Sequence, residues 1–593
     1  MSFGKTILAS LIGTFLAFVA ALILFFLLMI GLIASSLGES DQTLKEMSVL
    51  RIALNQPVLE RGNEESLNFD FNTLSKKDNL YLDLFRKDMQ KAMTDENIAG
   101  VLLEMGGISG APSTLKEVRD IIQEFKLSGK WVMAYGENLT QGDYYVASSA
   151  QQIFMYPTGM MDWKGLNGES MFFKNMLDQL EIEAQVIRGR DNKFKSAVEP
   201  FIYDHLSEPN REQLTLMLNQ IWGQMVSEIA ESRQISVEVL NQAASELTFL
   251  TPKLAVSAKA LDGLKYYDEI LAMVNEKLGK SLTDKTPFVQ YADYRAMNQE
   301  LNLELEEEDY VAVVYAVGEI QQGKGSDDVI GSDRIAAALR KARLDEHAKA
   351  VVLRVNSPGG SALASDIIWR ETEKIKMSGK PFVVSMGDYA ASGGYYISAS
   401  ADRIFANPQT ITGSIGVFGI VPNLKNFLDH KLGITIDRVE THPHADYFSV
   451  LKPFDEVEMA KMNEMIIGIY DDFLGRVSKG RGMTIAQVDS IARGRVWTGM
   501  EAQKIGLVDE LGGLKEAIQF ARQKAGLADE VKIKALPRME DPITELLGGV
   551  AEAKQDFLLK EITGEHYPAY RQLRTMVAKP GVYARMPFVL EVK

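Results

Sequence analysis

Short apolar runs alternate with amphipathic stretches along most of the chain, and the whole alternation occurs twice. In the first half the apolar runs are 50–54, 100–105 and 131–135, with helical spacing at 84–93 and 113–126. In the second half they are 311–317, 350–355 and 381–386, with helical spacing at 332–342 and 362–376. Short buried strands that alternate with helices are typical of a parallel α/β sheet. We therefore predict two α/β sheets of one design.

A longer apolar stretch lies near the N-terminus. No charged residue occurs between Lys5 and Glu39, and Ile7–Ile33 is almost entirely apolar. About 20 such residues suffice for a helix to cross a bilayer. A cleaved signal peptide and a buried core helix are the alternatives. We predict an uncleaved anchor within residues 1–40, with a cytoplasmic tip and an exported body, because Lys5 precedes the stretch and acidic residues follow it.

The two halves also share sequence at a separation of about 250 positions. Ser128-Gly129-Lys130 matches Ser378-Gly379-Lys380, and Tyr144-Tyr145 matches Tyr395-Tyr396. A repeat of this length is too long for a solenoid and indicates a domain duplication. The predicted boundaries are a first repeat at 45–275, a polar linker at 276–309, a second repeat at 310–535 and a C-terminal tail at 536–593. Each repeat ends in a helical arm, at about 207–245 and 455–492.

Composition and charge exclude several classes of function. Apolar residues make up 46% and charged residues 24% of the chain, which are ordinary values for a globular protein. The net charge of −16 argues against a nucleic-acid partner, which requires a basic surface. The chain has no cysteine, so disulfides, thiolate metal sites and cysteine nucleophiles are excluded.

The second repeat holds a candidate nucleophile that the first repeat lacks. Ser392 follows an apolar strand and precedes a helical stretch, whereas Gln141 or Gly142 stands at this place in the first repeat. A serine at a strand-to-helix turn lies near backbone N–H groups that favour an oxyanion. A helix N-cap is the alternative role for such a serine. The paired glycines Gly359 and Gly360, with the amide of Gly393, suit an oxyanion hole and favour the nucleophile.

The first repeat holds a candidate base that the second repeat lacks. No histidine lies near the Ser392 region in sequence, and lysine is the other known base for serine. Lys195 in KFKSAVEPF aligns with Phe448 in YFSVLKPF. A free lysine has a pKa near 10.4, so a basic role requires burial; a solvated surface lysine is the alternative. The reciprocal loss of Ser and Lys predicts one composite active site.

A metal site is the weaker interpretation of the remaining candidate residues. His442, His444 and Asp446 occur within five positions and are of the types that bind zinc, but such runs usually belong to solvated loops. The chain has no HExxH motif. We therefore predict no metal and no cofactor.

Four separated phrases resemble the long, duplicated form of the signal peptide peptidase A (protease IV) family: NSPGGSALASD, SMGDYAASGGYYIS, TITGSIGVFG and KFKSAVEPF. The resemblance implies an α/β fold of tandem Clp-protease/crotonase-like domains with helical arms, preceded by one transmembrane helix. It also implies a catalytic dyad of Ser392 and Lys195, with Ser414 orienting the lysine. The amides of Gly359, Gly360 and Gly393 would hold the oxyanion.

The resemblance further implies a biological setting. The expected substrates are cleaved signal peptides and other apolar, unfolded peptides. The expected location is the bacterial inner membrane, with the N-terminus in the cytoplasm and the catalytic body in the periplasm. The family assembles as homo-oligomers, tetrameric in the long form. Two alternatives stay open: a crotonase-type acyl-CoA enzyme and a catalytically idle membrane scaffold.

Overall fold

The computed structural model describes residues 13–21, 24, 44–62, 69–70, 75–76, 79–190, 192–297, 308–528, 531–539 and 581–585. The described strands up to residue 300 are β1 Ser48–Leu54, β2 Val58–Leu59, β3 Phe69–Asp70, β4 Ser75–Lys76, β5 Leu80–Tyr81, β6 Ile98–Met105, β7 Trp131–Gly136, β8 Gln152–Met155, β9 Glu183–Ile187, β10 Gly263–Leu264 and β11 Phe288–Gln290. Those that follow are β12 Tyr310–Val317, β13 Glu319–Gln321, β14 Val329–Gly331, β15 Ala348–Ser357, β16 Gly359–Ser361, β17 Phe382–Ala391, β18 Arg403–Ala406, β19 Ile411–Gly413, β20 Phe418–Asn423, β21 Val496–Thr498, β22 Glu510–Leu511, β23 Lys532–Leu536 and β24 Gly581–Arg585.

The helices follow the predicted alternation. In the first half they are Leu82–Thr94, Pro112–Lys126, Gln141–Ala147, Lys174–Gln179, Glu199–Ile202, Glu208–Arg233, Val237–Ser245, Pro252–Ser257, Tyr267–Lys277 and Tyr291–Met297. In the second half they are Ser332–Leu344, Ala362–Met377, Gly393–Ser398, Glu456–Arg481, Ile485–Ile491, Gly499–Lys504 and Leu514–Lys524. Short 3₁₀ turns lie at Ser196–Val198 and Thr248–Leu250, and a π turn lies at Phe427–Lys431.

Two sheets of the same order confirm the predicted duplication. The first sheet runs β10-β8-β7-β6-β1-β11, and all of its neighbouring strands are parallel. The second sheet contains the matching path β22-β18-β17-β15-β12-β23, also parallel. Strand β17 is longer than β7, and its additional C-terminal residues pair with β19. That extension carries the chain to Ser392.

The apolar core of the first repeat extends into the second repeat. The core of the first repeat also contains Tyr389, Ala391, Ile411 and Val496, which belong to β17, β19 and β21 of the second repeat. Because interiors pack densely, side chains at such a contact have little freedom to shift. The C-terminal end of β17 is therefore held by both repeats.

A third sheet joins both repeats and the C-terminal tail. Its order is β14-β13-β16-β24-β20-β9. Strand β9 comes from the first repeat and pairs antiparallel with β20 of the second. Strand β24 comes from the tail, and it pairs antiparallel with β16 and β20.

The predicted linker and tail are more structured than the sequence indicated. Residues 276–309 were expected only to connect the repeats, but β11 forms an edge of the first sheet by pairing with β1. The helix Tyr291–Met297 follows it, and Tyr294 is buried in the core of the first repeat. Strand β11 has three residues, too few to show a clear pattern among polar neighbours.

The predicted membrane anchor lies mostly outside the described residues. Residues 13–21 are helical, whereas most of the apolar stretch Ile7–Ile33 is not described. Within the described part of the chain, no helix combines the length and the apolar character needed to span a bilayer.

Candidate active site

Ser392 occupies a strained turn between strand β17 and the helix Gly393–Ser398. Its φ of 56° and ψ of −111° are unfavourable for a residue with a β-carbon. The backbone N–H of Ser392 donates to the carbonyl of Gly413 at 2.7 Å, which ties the turn to β19. The side chain makes no N-capping hydrogen bond, so the alternative role as a helix cap is wrong. Ser392 is fully buried.

Lys195 comes from the first repeat and reaches this serine. Its Nζ lies 2.7 Å from Ser392 Oγ, and its side chain is completely buried. The backbone N–H of Lys195 donates to the carbonyl of Asn192 at 3.0 Å. A β-carbon on Gly494 would lie 2.6 Å from the Lys195 β-carbon, so glycine is required there for the lysine to fit. The structure therefore brings together the two residues that the repeats had retained separately.

Ser414 completes the surroundings of the lysine amine. Lys195 Nζ lies 3.0 Å from Ser414 Oγ and 3.0 Å from the Ser414 carbonyl oxygen. Ser414 follows β19 and adopts a φ of 49°, which directs both of its oxygens at the amine. Its N–H donates to the carbonyl of Arg495 at 2.7 Å. Ser414 thus lies where the resemblance implied.

The environment of Lys195 favours the neutral amine. Burial lowers the pKa of Lys195 well below its ordinary value of 10.5. A neutral amine has two N–H groups and one lone pair. If the N–H groups donate to the two oxygens of Ser414, the lone pair faces Ser392 Oγ. This arrangement allows Lys195 to accept the hydroxyl proton of Ser392.

The predicted oxyanion glycines lie beside Ser392, but they do not have equal roles. Gly359 has a φ of 96°, a conformation that favours glycine. Its N–H donates to Ser357 Oγ at 3.1 Å, so this predicted donor is already engaged. Gly393 N lies 2.8 Å from the position that a β-carbon on Gly359 would take, so the two glycines are adjacent. The amides of Gly360 and Gly393 are the remaining predicted donors.

A buried charge network behind the site was not predicted from the sequence. Arg354 on β15 is fully buried and donates to Glu60 at 3.0 Å through both Nε and an η nitrogen. It also donates to Glu117 at 2.7 Å. Asn356 donates to Glu60 at 2.8 Å and to Asp388 at 2.9 Å. An arginine within the apolar strand VVLRV is the sequence signal that could have revealed this network.

The network joins the two repeats just behind the turn that holds Ser392. Glu60 and Glu117 belong to the first repeat, whereas Arg354, Asn356 and Asp388 belong to the second. Burial raises the pKa of Glu60, although Arg354 opposes the effect. Burial also raises the pKa of Asp388. Asp388 precedes Ser392 by four positions and Asn356 precedes Gly360 by four positions, so the network anchors both segments that carry the site.

In the first repeat, a carboxylate binds the backbone amides that follow β6. Asp143 Oδ1 accepts the N–H groups of Gly107 at 3.1 Å and of Ile108 at 3.0 Å. These amides follow the end of β6, and in the second repeat the matching strand β15 ends with Asn356 and Ser357. A cavity of about 560 Å³ opens beside them. In the first repeat these two amides are therefore already bound by a side chain of the chain itself.

The candidate histidine run does not form a cluster of its own. Among the described residues, the ligand atoms that lie within 4.8 Å of one another belong to His444, Asp455 and Glu458, without His442 and Asp446. Lys452 forms ion pairs with Glu458 at 2.8 Å and with Asp446 at 2.5 Å. A lysine therefore already supplies a positive charge to these carboxylates.

Comparison with known families identifies two matching segments. The model of peptidase family S49 matches residues 124–281 and 374–528, one segment in each repeat. The first segment contains Lys195, and the second contains Ser392 and Ser414.

Related proteins extend over most of the chain. "Protease 4" of Salmonella typhi is 37% identical over 448 residues, covering 74% of this chain and 71% of that protein. "Serine protease SPPA, chloroplastic" of Arabidopsis thaliana is 31% identical, covering 93% of this chain and 79% of that protein. "Putative signal peptide peptidase SppA" of Enterococcus faecium is 38% identical over 196 residues, covering 33% and 57%. Among solved structures, a ClpP1 mutant from Listeria monocytogenes covers 35% of this chain and 94% of its own, at 18% identity and a TM-score of 0.24, too low to support an argument.

Proposed function

Because this chain belongs to peptidase family S49, we propose that it is a membrane-anchored serine endopeptidase with a Ser392–Lys195 dyad. The observation that carries the proposal is the 2.7 Å separation of Lys195 Nζ and Ser392 Oγ, with both side chains fully buried. No cofactor is needed for this chemistry.

The proposed reaction follows the usual two steps of acyl transfer. Ser392 Oγ attacks the scissile carbonyl carbon while Lys195 takes the hydroxyl proton. The amides of Gly360 and Gly393 stabilise the oxyanion that develops. Lys195 then gives its proton to the leaving amine. In the second step Lys195 takes a proton from a water molecule, which attacks the acyl-enzyme ester, and gives that proton to Ser392 Oγ as the ester bond breaks. Ser414 holds the lysine amine in position throughout.

The proposed substrates are cleaved signal peptides and other apolar, unfolded peptides. The Enterococcus faecium relative is named as a putative signal peptide peptidase, and this name supports the substrate class. Strands β16 and β20 flank the site, and the chain's own strand β24 pairs with both of them. A peptide that takes the place of β24 would bind in the same way, because main-chain hydrogen bonds can bind an extended chain as an added strand.

The test is digestion of a synthetic signal peptide and of a folded control protein by the detergent-solubilised full chain. Mass spectrometry should find cleavage of the peptide and none of the folded protein. Ser392→Ala should abolish both the cleavage and labelling by a serine-reactive fluorophosphonate. Labelling that persists in Ser392→Ala would contradict the assignment of the nucleophile.

The proposed location is the bacterial inner membrane, with residues 1–40 as the anchor and the body in the periplasm. The support is the uncharged stretch between Lys5 and Glu39. Protease added to spheroplasts should digest the body while a cytoplasmic control stays intact; protection of the body would reverse the orientation. Assembly as a homotetramer is proposed from the family resemblance, and mass measurement of the solubilised protein by light scattering tests it.

A further inference from the structure

The loop at 192–195, here called the lysine loop, is attached to the second repeat through the side chain of Asn192. Asn192 follows strand β9 of the first repeat and is only 3% exposed. Its Nδ2 donates to the carbonyl of Arg188 at 2.7 Å and to the carbonyl of Val417 at 3.1 Å. Its own carbonyl accepts the N–H of Lys195 at 3.0 Å. One residue therefore contacts the lysine, the backbone that follows β9 and the second repeat.

Val417, which accepts this hydrogen bond, belongs to a short stretch of backbone that contacts both members of the dyad. Three positions before it, both oxygens of Ser414 lie 3.0 Å from Lys195 Nζ. One position before it, the carbonyl oxygen of Gly416 lies 3.4 Å from Ser392 Oγ. The hydrogen bond to Val417 therefore fixes the lysine loop against the same backbone that surrounds the reacting atoms.

The other hydrogen bonds of the lysine loop hold its backbone at Phe194. The N–H of Phe194 donates to the carbonyl of Arg493 at 3.1 Å, and its carbonyl accepts Gln213 Nε2 at 3.2 Å. Proton transfer requires that the lysine amine stay within hydrogen-bond reach of Ser392 Oγ, so a displacement of about 1 Å would interrupt it. The hydrogen bonds of Asn192 therefore bear directly on the rate of the reaction.

The carboxamide of Asn192 holds the lysine loop without bringing a charge to the site. A carboxylate at this position would donate no hydrogen bond, and it would favour the protonated lysine. Burial is the cause of the lowered pKa of Lys195. The charged side chains around the loop have partners of their own: Arg188 lies over the ring of Tyr203, Lys193 lies over the ring of Phe194, Arg190 pairs with Asp471, Arg493 with Asp489 and Arg495 with Glu212, and Glu199 accepts hydrogen bonds from Ser207 and Asn210. An uncharged residue at position 192 thus suits a neutral lysine.

We propose that Asn192 is a positioning residue that holds Lys195 Nζ at Ser392 Oγ. The inference rests on the proposed function and adds to it a residue that acts through the lysine and touches no substrate. The hydrogen bond from Asn192 to Val417 fixes the separation of the reacting atoms. The neutral carboxamide does so without stabilising the protonated form of the lysine.

Asn192→Leu tests the position of the lysine. Leucine occupies a similar volume but donates neither hydrogen bond, so the lysine loop is no longer tied to the second repeat. The kcat for an apolar peptide should fall by at least about tenfold, whereas KM should change by less than about twofold. Asn275→Leu is the matched control, because Asn275 is 1% exposed and donates to the carbonyl of Asp284 at 2.7 Å in the first repeat. It should keep the wild-type kcat, and urea unfolding checks that both variants fold.

Asn192→Asp tests whether the position must be uncharged. Aspartate keeps the size of the side chain but buries a carboxylate close to the lysine loop, which favours the ammonium form of Lys195. The rise of kcat with pH should therefore move to higher pH by about one unit, and part of the lost rate should return at alkaline pH. Asn275→Asp should keep the wild-type pH profile. A role of Asn192 in folding alone would not shift the profile.

The outcomes separate this proposal from the proposed function. A folded Asn192→Leu protein with the wild-type kcat would overturn the positioning role, and so would a pH profile of Asn192→Asp that coincides with that of wild type. In both cases wild type would still hydrolyse the peptide and Ser392→Ala would not, so the proposed function would stand. A wild-type protein that does not hydrolyse the peptide would overturn the proposed function itself.

Discussion

Replacing Lys195 by methionine tests whether the buried lysine is neutral in the folded protein. Lys195 is fully buried, and burial lowers its pKa well below 10.5. In the unfolded chain the same lysine has an ordinary pKa near 10.4. Between the folded and unfolded pKa values, the unfolded chain therefore binds one more proton than the folded chain at this residue. Methionine removes that difference while keeping most of the apolar volume.

The magnitude follows from linkage between protonation and folding. One additional proton in the unfolded state raises the free energy of unfolding by about 1.4 kcal/mol per pH unit. Burying Lys195 as a neutral amine lowers the free energy of unfolding. This loss is largest below the pKa of Lys195 in the folded protein, and it falls to zero as the pH rises towards the pKa in the unfolded chain. The stability of Lys195→Met relative to wild type should accordingly decrease by about 1.4 kcal/mol per pH unit within this window. Loss of the hydrogen bonds to Ser392 and Ser414 adds a nearly constant offset.

Proton uptake during unfolding is the direct assay. Urea is added to weakly buffered protein at alkaline pH, and titration gives the protons bound per chain. Wild type should take up about one more proton than Lys195→Met. Lys193→Met, which removes an exposed lysine two positions earlier, is the matched control. Equal proton uptake by wild type and Lys195→Met would show that Lys195 is not neutral in the folded protein. It would also refute the proposed role of Lys195 as the general base.

Four further results are expected. Ser392→Ala and Lys195→Ala should each abolish peptide hydrolysis, and the double variant should be no worse, because residues that act as a unit are not additive; more than about a tenth of wild-type turnover in Lys195→Ala would require another base. The rate of hydrolysis should rise with pH through the depressed pKa of Lys195, and inactivation by a histidine-selective reagent at about pH 6 would contradict this. Arg354→Met should lower the free energy of unfolding, measured in urea, by about 3–5 kcal/mol, since it leaves buried carboxylates unpaired. Glu60→Gln should lower the free energy of unfolding by less, because burial already favours the protonated form of Glu60. Equal decreases for the two variants would contradict this account. Gln141→Ser in a Ser392→Ala protein should give no fluorophosphonate labelling, and labelling would mean that the first repeat keeps a working site.

The sequence predicted the elements that have strong local patterns. The strand and helix alternation, the equivalence of the repeats and the juxtaposition of Ser392 with Lys195 all follow from apolar runs and matching phrases. The third sheet was not predicted, because β13 and β16 have three residues each and show no usable periodicity. Strand β24 was missed for a related reason: its partners lie more than 150 positions away, and only the folded chain brings them together.

The charge network shows a second limit of sequence reasoning. Arg354 was interpreted as part of a buried strand, which is correct, but a buried charge requires a partner that the local sequence does not name. Its partners Glu60 and Glu117 lie 294 and 237 positions away. Pairing between them depends on how the repeats dock, and neither periodicity nor spacing specifies that docking.

The first repeat illustrates why a duplicated chain keeps one site. Where the second repeat has Ser414 beside the lysine, the first has Trp163, which is fully buried and packs 4.7 Å from the ring centroid of Trp222. Gln141, which with Gly142 is one of the two residues that stand at the place of Ser392, accepts the N–H of Gly165 at 2.7 Å and so holds a loop in place. Asp143 accepts the N–H groups of Gly107 and Ile108, which follow β6. At the places of Ser414 and Ser392, the first repeat therefore has side chains that satisfy packing or hydrogen bonding. Restoring a serine alone would therefore not supply the space for a neutral lysine, because Trp163 fills it.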